Sequence, residues 1–340
     1  MLHPANLKEL SEAQTKEYLA RIGINLAKDA PLPMPSLTLL SQVLAHHLLA
    51  VPFSNLGIHL PSTPSQTSNL IPLRQGIVPP LTLPSLFAKI VTRKRGGVCF
   101  EVNALLHAML VSLGFDAVLS PARLPFNQSL PLKWRPDTWH VVVLVRGVEG
   151  RDWMVDAGWG GGGASVPLPL EDGATGEGFG GERFRIVRLG DVQVEEWGGW
   201  ALESERDSNV SDNVLESMKV LCRFGAIVAS LEDLKADYWD AMTAPYRYQP
   251  RQLMMYRPDG IGGRFTFSTP KKEGSNPNAF PLGDDMSESG LFRIWNCEPL
   301  EGHYRAVKVE ERVLRGLDEC LPVWKNYFDI DAFEEDPFHT

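Results

Sequence analysis

The stretch Arg95-Gly96-Gly97-Val98-Cys99-Phe100-Glu101-Val102-Asn103 marks the start of the helix that the sequence predicts most strongly. Apolar residues recur at helical spacing over residues 98–113, and Gly114 follows as a stop signal. The two glycines let the backbone turn sharply and approach a ligand. Cys99 falls in the first helical turn, where backbone N–H groups and the helix dipole favour a thiolate and can stabilise an oxyanion on an attached acyl group. A lone cysteine is more often a buried apolar residue, but this setting predicts a nucleophile.

A cysteine nucleophile needs a base and a group that orients the base. His140 opens the apolar strand predicted over residues 140–145, where a polar residue has little structural reason to lie. Asp156 follows the next predicted strand, residues 153–155. Antiparallel pairing of these strands would bring Asp156 beside His140 and fix the tautomer of its ring. The helix–strand–strand order therefore predicts a catalytic set of Cys99, His140 and Asp156.

The other histidines compete less well for the role of base. His107 lies eight residues along the same helix, about 12 Å from Cys99 by helical rise, and is excluded. His46 and His47 lie on a predicted helix, and His3 and His339 are terminal. Position alone leaves His59 and His303 open as alternatives.

The predicted elements change in kind along the chain. Helices are predicted from Ser11 to about residue 22, from Ser36 to residue 49, and over residues 98–113, whereas short strands dominate the middle. The last third mixes a predicted helix (218–234), strands (252–256 and 264–268) and a strand-and-helix segment (307–317). Loops are predicted over residues 61–84, 158–163, 173–181 and 271–289, which are rich in Gly, Pro and Ser.

Composition and charge narrow the classes of function. The chain has 340 residues, 44% of them hydrophobic and 22% charged, which predicts a globular protein with a sizeable core. Thirty-three basic residues against 42 acidic ones give a net charge of −9, so nucleic acid and anionic membranes are disfavoured as partners. Cys99, Cys222, Cys297 and Cys320 lie far apart, which disfavours a metal site and a disulfide framework. The N-terminus does not resemble a secretory signal, and no apolar run reaches about 18 residues. We therefore expect a soluble, cytoplasmic protein with reduced thiols.

The sequence resembles the arylamine N-acetyltransferase family, whose signature has the form RGGxCxExN. The chain carries this signature as Arg95, Gly96, Gly97, Cys99, Glu101 and Asn103. The resemblance extends to residues 18–23 and 51–56, to the segment around His140, and to residues 155–158, and so covers roughly the first half of the chain.

The resemblance implies an α+β fold of three domains with a papain- or transglutaminase-like Cys-His-Asp core. A helical domain (1–114) would carry the cysteine, a β-barrel domain (115–232) the histidine and aspartate, and a C-terminal α/β lid (233–340) would follow. The implied reaction is ping-pong transfer of an acetyl or similar short acyl group from acyl-CoA to an arylamine, arylhydroxylamine or hydrazine. Acyl-CoA would be a co-substrate, no cofactor would be tightly bound, and detoxification of xenobiotics would be the role. The long stretches 61–84 and 160–181 resemble eukaryotic, particularly fungal, members.

The resemblance also implies roles for further residues. Besides the catalytic set, it assigns structural support to Arg95, Gly96, Gly97, Glu101 and Asn103. Substrate binding is expected of Phe53, Phe126, Thr138, Trp139, Gly158 and Trp159, and CoA binding of Arg93, Lys94 and Thr243. Ser54 stands where the family usually has a glutamate that anchors the arginine matching Arg95, so Arg95 needs another partner, such as Glu101 or backbone carbonyls.

Three other functions compete with acyl transfer from CoA. The same core serves cysteine hydrolases and transglutaminases, although the Arg-Gly-Gly-x-Cys signature argues against both. A protein that has lost turnover and only binds ligands is a second alternative, disfavoured by the intact catalytic set. A phosphate-binding loop at Gly160–Gly163 is excluded because no Lys-Ser/Thr pair follows the glycines.

Overall fold

A computed structural model of the chain describes residues 10–27, 29–60, 78–126, 133–160, 162–190, 199–205, 218–225, 227–244, 247, 250–269, 289–300 and 303–330. The helices of this described part are α1 (Glu12–Arg21), α2 (Leu37–Ala50), α3 (Leu56–His59), α4 (Leu83–Phe87), α5 (Cys99–Ser112), α6 (Lys235–Thr243) and α7 (Gly316–Phe328). A π-helical turn (Ala88–Thr92) and a 3₁₀ turn (Phe179–Gly181) accompany them.

The helix starts follow from the capping residues that the sequence supplies. The Ser11 hydroxyl accepts a hydrogen bond from the Gln14 N–H at 3.3 Å, and the Gln14 side chain accepts one from the Ser11 N–H at 3.0 Å. Ser36 likewise accepts from the Leu39 N–H at 3.1 Å. These contacts satisfy backbone donors that a helix leaves unpaired in its first turn. The predicted helices at Ser11, at Ser36 and over residues 98–113 are confirmed.

The strands form three antiparallel sheets. They are β1 (Phe53–Ser54), β2 (Asp116–Ala122), β3 (His140–Val148), β4 (Arg151–Val155), β5 (Leu168–Pro169), β6 (Thr175–Glu177), β7 (Arg183–Arg188), β8 (Trp200–Glu205), β9 (Met218–Phe224), β10 (Met254–Pro258), β11 (Arg264–Ser268), β12 (Ser289–Leu300) and β13 (His303–Arg315). Their orders are β2-β3-β4-β5, β6-β7-β8-β9 and β1-β10-β11-β12-β13.

The first two sheets share one core and join at an edge. Arg123, just after β2, exchanges two backbone hydrogen bonds of 2.9 Å with Arg223 of β9. Buried side chains from both sheets pack in one cluster that includes Val142, Met154 and Phe184. The opposite face of β2 and β3 packs in the main core together with α5. This middle region matches the predicted β-barrel.

The third sheet packs against α7 and takes its edge strand from the first part of the chain. Phe53 and Ser54 of β1 pair with Tyr256 and Met255 of β10. Trp324 of α7 is fully buried in the core of this sheet. The predicted domain boundaries after residues 114 and 232 stay a prediction.

The predicted helix over residues 218–234 is wrong. Residues Met218–Phe224 form β9, which pairs with β8, and the next helix begins only at Lys235. A short apolar run such as residues 220–224 has no periodicity that separates a strand from a buried helix. The pairing with β8 and the bridge to Arg123 decide in favour of the strand.

Some of the remaining predictions of strands and loops are confirmed, and others are not. The strands predicted around residues 254, 264 and 307 are confirmed as β10, β11 and β13. The predicted loop at 173–181 contains β6 and the 3₁₀ turn, and the end of the predicted loop at 61–84 enters α4. Residues 61–77 and 270–288, where two loops are predicted, lie outside the described residues. In the described part of the chain, no helix has both the length and the apolarity needed to cross a membrane.

Candidate active site

Cys99 is the first residue of α5, as the sequence predicts. The first twelve residues of helix α5 are all buried, so Cys99 lies at the buried start of this helix. Cys99 is 4% exposed, and its thiol donates to the Trp139 carbonyl at 3.8 Å. The residue before His140 therefore touches the sulfur directly.

His140 and Asp156 meet because β3 and β4 pair as neighbours. The register places Val143 of β3 opposite Val155, the last residue of β4. His140 begins β3 and Asp156 follows β4, so both side chains emerge at the same end of the sheet. The His140 Nε2–H donates to Asp156 Oδ2 at 2.6 Å, and the two residues are 3% and 1% exposed.

The electrostatics of this pair favour a protonated His140. Burial alone lowers the pKa of His140, but the charge and hydrogen bond of Asp156 and the adjacent Cys99 outweigh burial and raise the pKa to about 10. Since Nε2 is bound to Asp156, Nδ1 is the nitrogen left for the side-chain hydrogen bond with Cys99. The arrangement is that of a nucleophile, a base and an orienting carboxylate.

Asn103 and Gly158 hold the carboxylate in place. Asn103 Nδ2 donates to Asp156 Oδ1 at 2.9 Å, and the Gly158 N–H donates to the same oxygen at 2.8 Å. The Asn103 Oδ1 also accepts a hydrogen bond from the Ala157 N–H at 2.8 Å. Asn103 lies one helical turn after Cys99, so the signature ties the nucleophile's helix to the strand end that carries Asp156.

Gly158 is required by a close approach of backbone to backbone. A Cβ atom at this position would lie 2.6 Å from the Cα of Cys99 and 2.8 Å from the Asn103 amide nitrogen. Any larger residue would push the strand end away from the helix start. The role in substrate binding that the resemblance assigns to Gly158 stays a prediction.

A buried ion pair supports the start of α5. Glu101 Oε2 accepts the Val98 N–H at 2.9 Å, which caps the helix one residue before Cys99. The Lys89 ammonium lies 2.7 Å from both oxygens of Glu101, and the Tyr238 hydroxyl donates to Oε1 at 3.1 Å. Lys89 and Glu101 are 3% and 0% exposed, and burial lowers the pKa of Lys89 although Glu101 opposes the shift.

Arg95 does not take Glu101 as its partner. Glu101 binds Lys89, while Arg95 Nη2 donates to the Leu60 carbonyl at 3.5 Å. Ser54 is fully buried, and its hydroxyl accepts the Leu56 N–H at 3.2 Å. Of the two partners that the sequence allowed for Arg95, the structure shows a backbone carbonyl.

The glycine pair before Cys99 holds the turn against β1. The Ser54 N–H donates to the Gly97 carbonyl at 2.9 Å, and the Gly97 N–H donates to the Pro52 carbonyl at 3.3 Å. Gly96 adopts a φ of +65°, which favours glycine. The predicted sharp turn at Gly96 is confirmed.

The environments of other described cysteines and histidines do not favour a nucleophile or a base. Burial raises the pKa of Cys320 to about 12, and burial, reinforced by the charge of Asp156, raises that of Cys222 well above its ordinary value. Burial lowers the pKa of His107 to about 4, and His59 Nε2 binds the Asn55 amide at 3.3 Å. The side chains of His303 and Cys297 lie outside the described residues.

A pocket opens beside Asp156 and Ala157 and is walled by aromatic rings. Its rings belong to Phe53, Trp159, Phe179 and Tyr256, and its charged wall to Glu182 and Arg264. The Trp159 ring also packs edge-on against the His140 ring, with centroids 5.0 Å apart. The structure thus brings two predicted substrate-binding residues, Phe53 and Trp159, to the catalytic set.

The other predicted substrate-binding residues lie outside this pocket. Phe126 is 55% exposed, and the Arg135 guanidinium lies between its ring and that of Trp139, at 4.9 and 3.9 Å from their centroids. Trp139 contacts the Cys99 sulfur through its carbonyl, as described above. Thr138 is 1% exposed, and its carbonyl accepts from Arg247 at 3.2 Å. Their predicted roles stay predictions.

The residues predicted to bind CoA lie on different elements of the fold. Lys94 lies 4.0 Å from the Asp329 carboxylate, just beyond α7. The Thr243 hydroxyl donates to the Trp239 carbonyl within α6, at 2.7 Å. Arg93 closes the π-helical turn before the glycine pair. Their predicted role in binding CoA stays a prediction.

Several residues of the site escaped prediction from the sequence. No local motif contains these residues, which are Lys89, Tyr238, Tyr256, Glu182 and Arg264. Their roles depend on partners between 12 and 137 residues away in sequence, or on the pairing of distant strands. The one usable signal was Lys89, an isolated charge within the apolar stretch 86–91, where a buried partner is required.

Comparisons with known proteins agree with this geometry. A family model described as N-acetyltransferase matches residues 36–245, well over half of the chain. The arylamine N-acetyltransferase of Mycolicibacterium smegmatis is 34% identical over 175 residues, which are 51% of this chain and 56% of that protein. In its sequence matches, the chain thus spans about half the length of its curated relatives.

Solved structures extend the likeness of the fold to nearly the whole chain. The arylamine N-acetyltransferase of Salmonella typhimurium aligns with a TM-score of 0.68 at 20% identity, covering 97% of this chain and 95% of its own. That of Mycobacterium marinum in complex with CoA aligns with a TM-score of 0.64 at 23% identity, covering 94% of both chains. At these identities the structural match establishes the fold. Together with the family model and the sequence relatives, it shows that the chain belongs to the arylamine N-acetyltransferase family.

Proposed function

We propose that the protein transfers an acetyl or similar short acyl group from acyl-CoA to an arylamine, arylhydroxylamine or hydrazine through an acyl-cysteine intermediate. One observation carries this proposal: hydrogen bonds link Cys99 to His140 and His140 to Asp156, beside an aromatic pocket. The CoA complex of one structural neighbour supports acyl-CoA as the donor. CoA is a co-substrate in this scheme, since it leaves after the first half-reaction.

Before the first half-reaction, Nδ1 of His140 already holds the thiol proton of Cys99, so the sulfur attacks the thioester carbonyl as the thiolate of a thiolate–imidazolium pair. The tetrahedral intermediate collapses, the bond from carbon to the CoA sulfur breaks, and the imidazolium protonates the departing thiolate. Asp156 holds the ring through Nε2 and stabilises its positive charge. The products are free CoA and acyl-Cys99.

In the second half-reaction, the amine nitrogen attacks the acyl carbon of acyl-Cys99. His140 Nδ1 takes a proton from the attacking nitrogen, and the carbon–sulfur bond to Cys99 breaks. The amide product leaves, and the thiolate of Cys99 regains the pair with imidazolium. The edge-on contact of Trp159 with His140 places an aromatic wall where an arylamine ring would lie during this attack.

The proposal has a biological part as well. The long stretches at 61–84 and 160–181 support a eukaryotic, fungal-type member of the family. We further propose that it works in the cytoplasm on xenobiotic amines. We also propose the three-domain division at residues 114 and 232, since α5 ends at Ser112 and α6 begins at Lys235.

The test is intact-mass measurement of the purified protein after incubation with acetyl-CoA and no amine. We expect a mass increase of one acetyl group, mapped to Cys99, that disappears as 4-methylaniline is converted to its amide. Cys99→Ala should form no adduct and give no product, whereas Cys320→Ala should behave as the wild type. No adduct from acetyl-, propionyl- or malonyl-CoA would overturn the proposal and favour a hydrolase or a protein without turnover.

A further inference from the structure

A single buried arginine holds the segment that leads into His140. Arg247 follows helix α6 in the chain and is 1% exposed. Its Nη2 donates to Asp137 Oδ2 at 2.7 Å and to the Thr138 carbonyl at 3.2 Å, and its Nε donates to Asp240 Oδ2 at 2.7 Å. Asp240 belongs to α6, whereas Asp137 and Thr138 lie just before β3. Arg247 therefore ties α6 to the start of the strand that begins with His140.

The same arginine packs on the ring of Trp139. The guanidinium carbons of Arg247 and Arg135 lie 4.0 and 3.9 Å from the centroid of this ring. The Trp139 Nε1–H donates to Asp137 Oδ1 at 2.9 Å, and the other oxygen of that carboxylate accepts from Arg247. Cation–π packing and the shared carboxylate thus hold the indole both at its face and at its edge.

The position of Trp139 decides what lies against the sulfur of Cys99. The Trp139 carbonyl is 3.8 Å from Cys99 Sγ, and the next residue, His140, begins β3. The Trp139 N–H donates to the Ala122 carbonyl of β2 at 3.1 Å, which ties this backbone to the sheet. A shift of the indole would therefore move the carbonyl at the sulfur and the start of β3 together, and the imidazole ring with them.

Stability alone does not call for an arginine at this place. Taking a charge out of water is costly, and a buried ion pair is often no more stabilising than well-packed apolar side chains. An arginine differs from an apolar residue and from a lysine, because its planar fork donates in several fixed directions and also stacks on an aromatic ring. Arg247 uses both properties, since it binds two carboxylates and a carbonyl while it packs on Trp139. This arrangement favours a role in fixing geometry.

We propose that Arg247 is a positioning residue for acyl transfer, which holds residues 137–139 so that His140 stays within reach of Cys99. At 1% exposure, Arg247 is itself closed to the substrates and acts through the residues that it binds. This inference rests on the proposed acyl transfer and deepens it. The catalytic centre then depends on a residue beyond the barrel, 110 positions after Asp137 in the chain.

The test measures acyl-Cys99 formation in Arg247→Gln and Arg247→Lys by quenched intact mass, over a range of acetyl-CoA concentrations. Misplacement of a base by about an ångström lowers a rate about 10²-fold, so the maximal rate in Arg247→Gln should fall by about that factor. The acetyl-CoA concentration that gives half the maximal rate should stay nearly the same. Arg247→Lys, which keeps the charge but loses the planar fork, should recover part of the loss. Arg146→Gln, which removes an exposed arginine of β3, is the control and should match the wild type.

A second readout separates positioning from stability. The rate at which iodoacetamide alkylates Cys99 at pH 6, relative to the rate at pH 9, reports the thiolate that an adjacent imidazolium stabilises. This ratio should fall several-fold in Arg247→Gln, because a displaced His140 no longer pairs with the sulfur. Turnover of 4-aminobenzoate and of 4-aminobenzamide, an anionic and a neutral acceptor of nearly the same size, should fall by the same factor, since both reactions depend on the same His140.

Each contrary outcome is distinct. A folded Arg247→Gln that forms acyl-Cys99 at the wild-type rate would overturn this inference and leave the acyl transfer standing. A lower rate with an unchanged alkylation ratio would assign to Arg247 a role in stability alone, and would also overturn it. So would a weaker affinity for acetyl-CoA at an unchanged maximal rate, which would make Arg247 part of the donor site.

A second variant keeps the inference testable if Arg247→Gln does not fold. Asp240→Asn removes the charge of one partner of Arg247, a side chain that is 32% exposed. A several-fold fall in both the acylation rate and the alkylation ratio of Asp240→Asn would support the inference, and unchanged values would overturn it. A wild-type protein that forms no acyl-Cys99 would remove the proposed function and this inference with it.

Discussion

The catalytic centre and the outer wall of the pocket are built in opposite ways. In the centre, the Asp156 carboxylate alone is held by three hydrogen bonds of 2.6–2.9 Å from His140, Asn103 and Gly158. In the wall, one ion pair of 3.3 Å between Glu182 and Arg264 and a contact between two glycines join segments that lie about 80 residues apart. Several hydrogen bonds fix the geometry of the centre. In the wall, Arg264 has N–H donors for which the described residues offer no acceptor.

This contrast suggests that the centre performs the chemistry and that the wall selects the acceptor, which we call the division between the two regions. Proton transfer and attack need atoms held within a few tenths of an ångström, because small misplacements lower the rate strongly. Recognition of an acceptor needs only a difference in binding between one substituent and another. A substitution in the centre should therefore reduce turnover of every acceptor alike, while a substitution in the wall should change the order of preference among acceptors.

The largest effect that tests this division is expected from Asp156→Asn. The Gly158 N–H and the Asn103 amide both donate to Oδ1, so the amide oxygen of the new side chain must stay on that side. Its NH₂ group then faces His140 Nε2 and forces the ring proton onto Nδ1, the nitrogen that must accept the thiol proton of Cys99. We expect kcat/KM to fall about 10³-fold or more, as measured by steady-state amide formation.

The comparison of acceptors gives this prediction its control. The loss should be equal for 4-aminobenzoate and 4-aminobenzamide, and the acyl-Cys99 adduct should form slowly for the same reason. A loss that differs tenfold between the two acceptors would show that Asp156 contributes to the acceptor pocket, which it also lines, and would break the proposed division.

A smaller but still large effect is expected from Gly158→Ala. The new Cβ would lie 2.6 Å from the Cα of Cys99, a backbone atom that can move only if the start of α5 moves. We expect about a 10²-fold loss of turnover for all acceptors, and a free energy of unfolding lower by about 1–3 kcal/mol from overpacking. Gly190→Ala is the matched control, since nothing lies within 4 Å of its Cβ position. Turnover within a few-fold of the wild type in Gly158→Ala would mean that the close contact is not needed for catalysis.

The centre was largely predictable from the sequence because its information is local. Gly96, Cys99, Glu101 and Asn103 lie within eight residues, and the spacing of Cys99 and Asn103 on one helix puts both side chains on the same face. His140 and Asp156 required only that two consecutive strands pair, which is the commonest arrangement. The hydrogen bond between His140 and Asp156 confirms that the two strand ends meet as predicted.

The wall was not predictable, and the error at β9 shows why. Residues 220–224 form a strand because β8 and Arg123 lie beside them, and neither neighbour is visible in the local pattern. Arg264 reaches the pocket for a similar reason, since β10 pairs with β1 and thereby brings the β10–β11 turn to the barrel. Even the Lys89–Glu101 pair, only 12 residues apart, depends on how the π-helical turn packs on α5. Such contacts follow from register between distant segments, which a single sequence does not record.

The remaining prediction concerns stability instead of turnover, and it separates the two regions by pH. The pKa of His140 is raised to about 10 in the folded protein, against about 6.5 for an unperturbed histidine. Protonation of His140 therefore stabilises the fold fully below about pH 6.5, and this stabilisation is lost as the pH rises toward 10, by at most about 1.4 kcal/mol per pH unit. The difference in free energy of unfolding between wild type and His140→Gln, measured by urea titration from pH 6 to 9.5, should shrink over that range. The difference between wild type and Glu182→Gln should be small and flat, because an ion pair with one 3.3 Å contact contributes about 1 kcal/mol or less. A flat His140→Gln curve would show that the centre is not held by the charge of its histidine, and its rigidity would then rest on the hydrogen bonds of Asn103 and Gly158 alone.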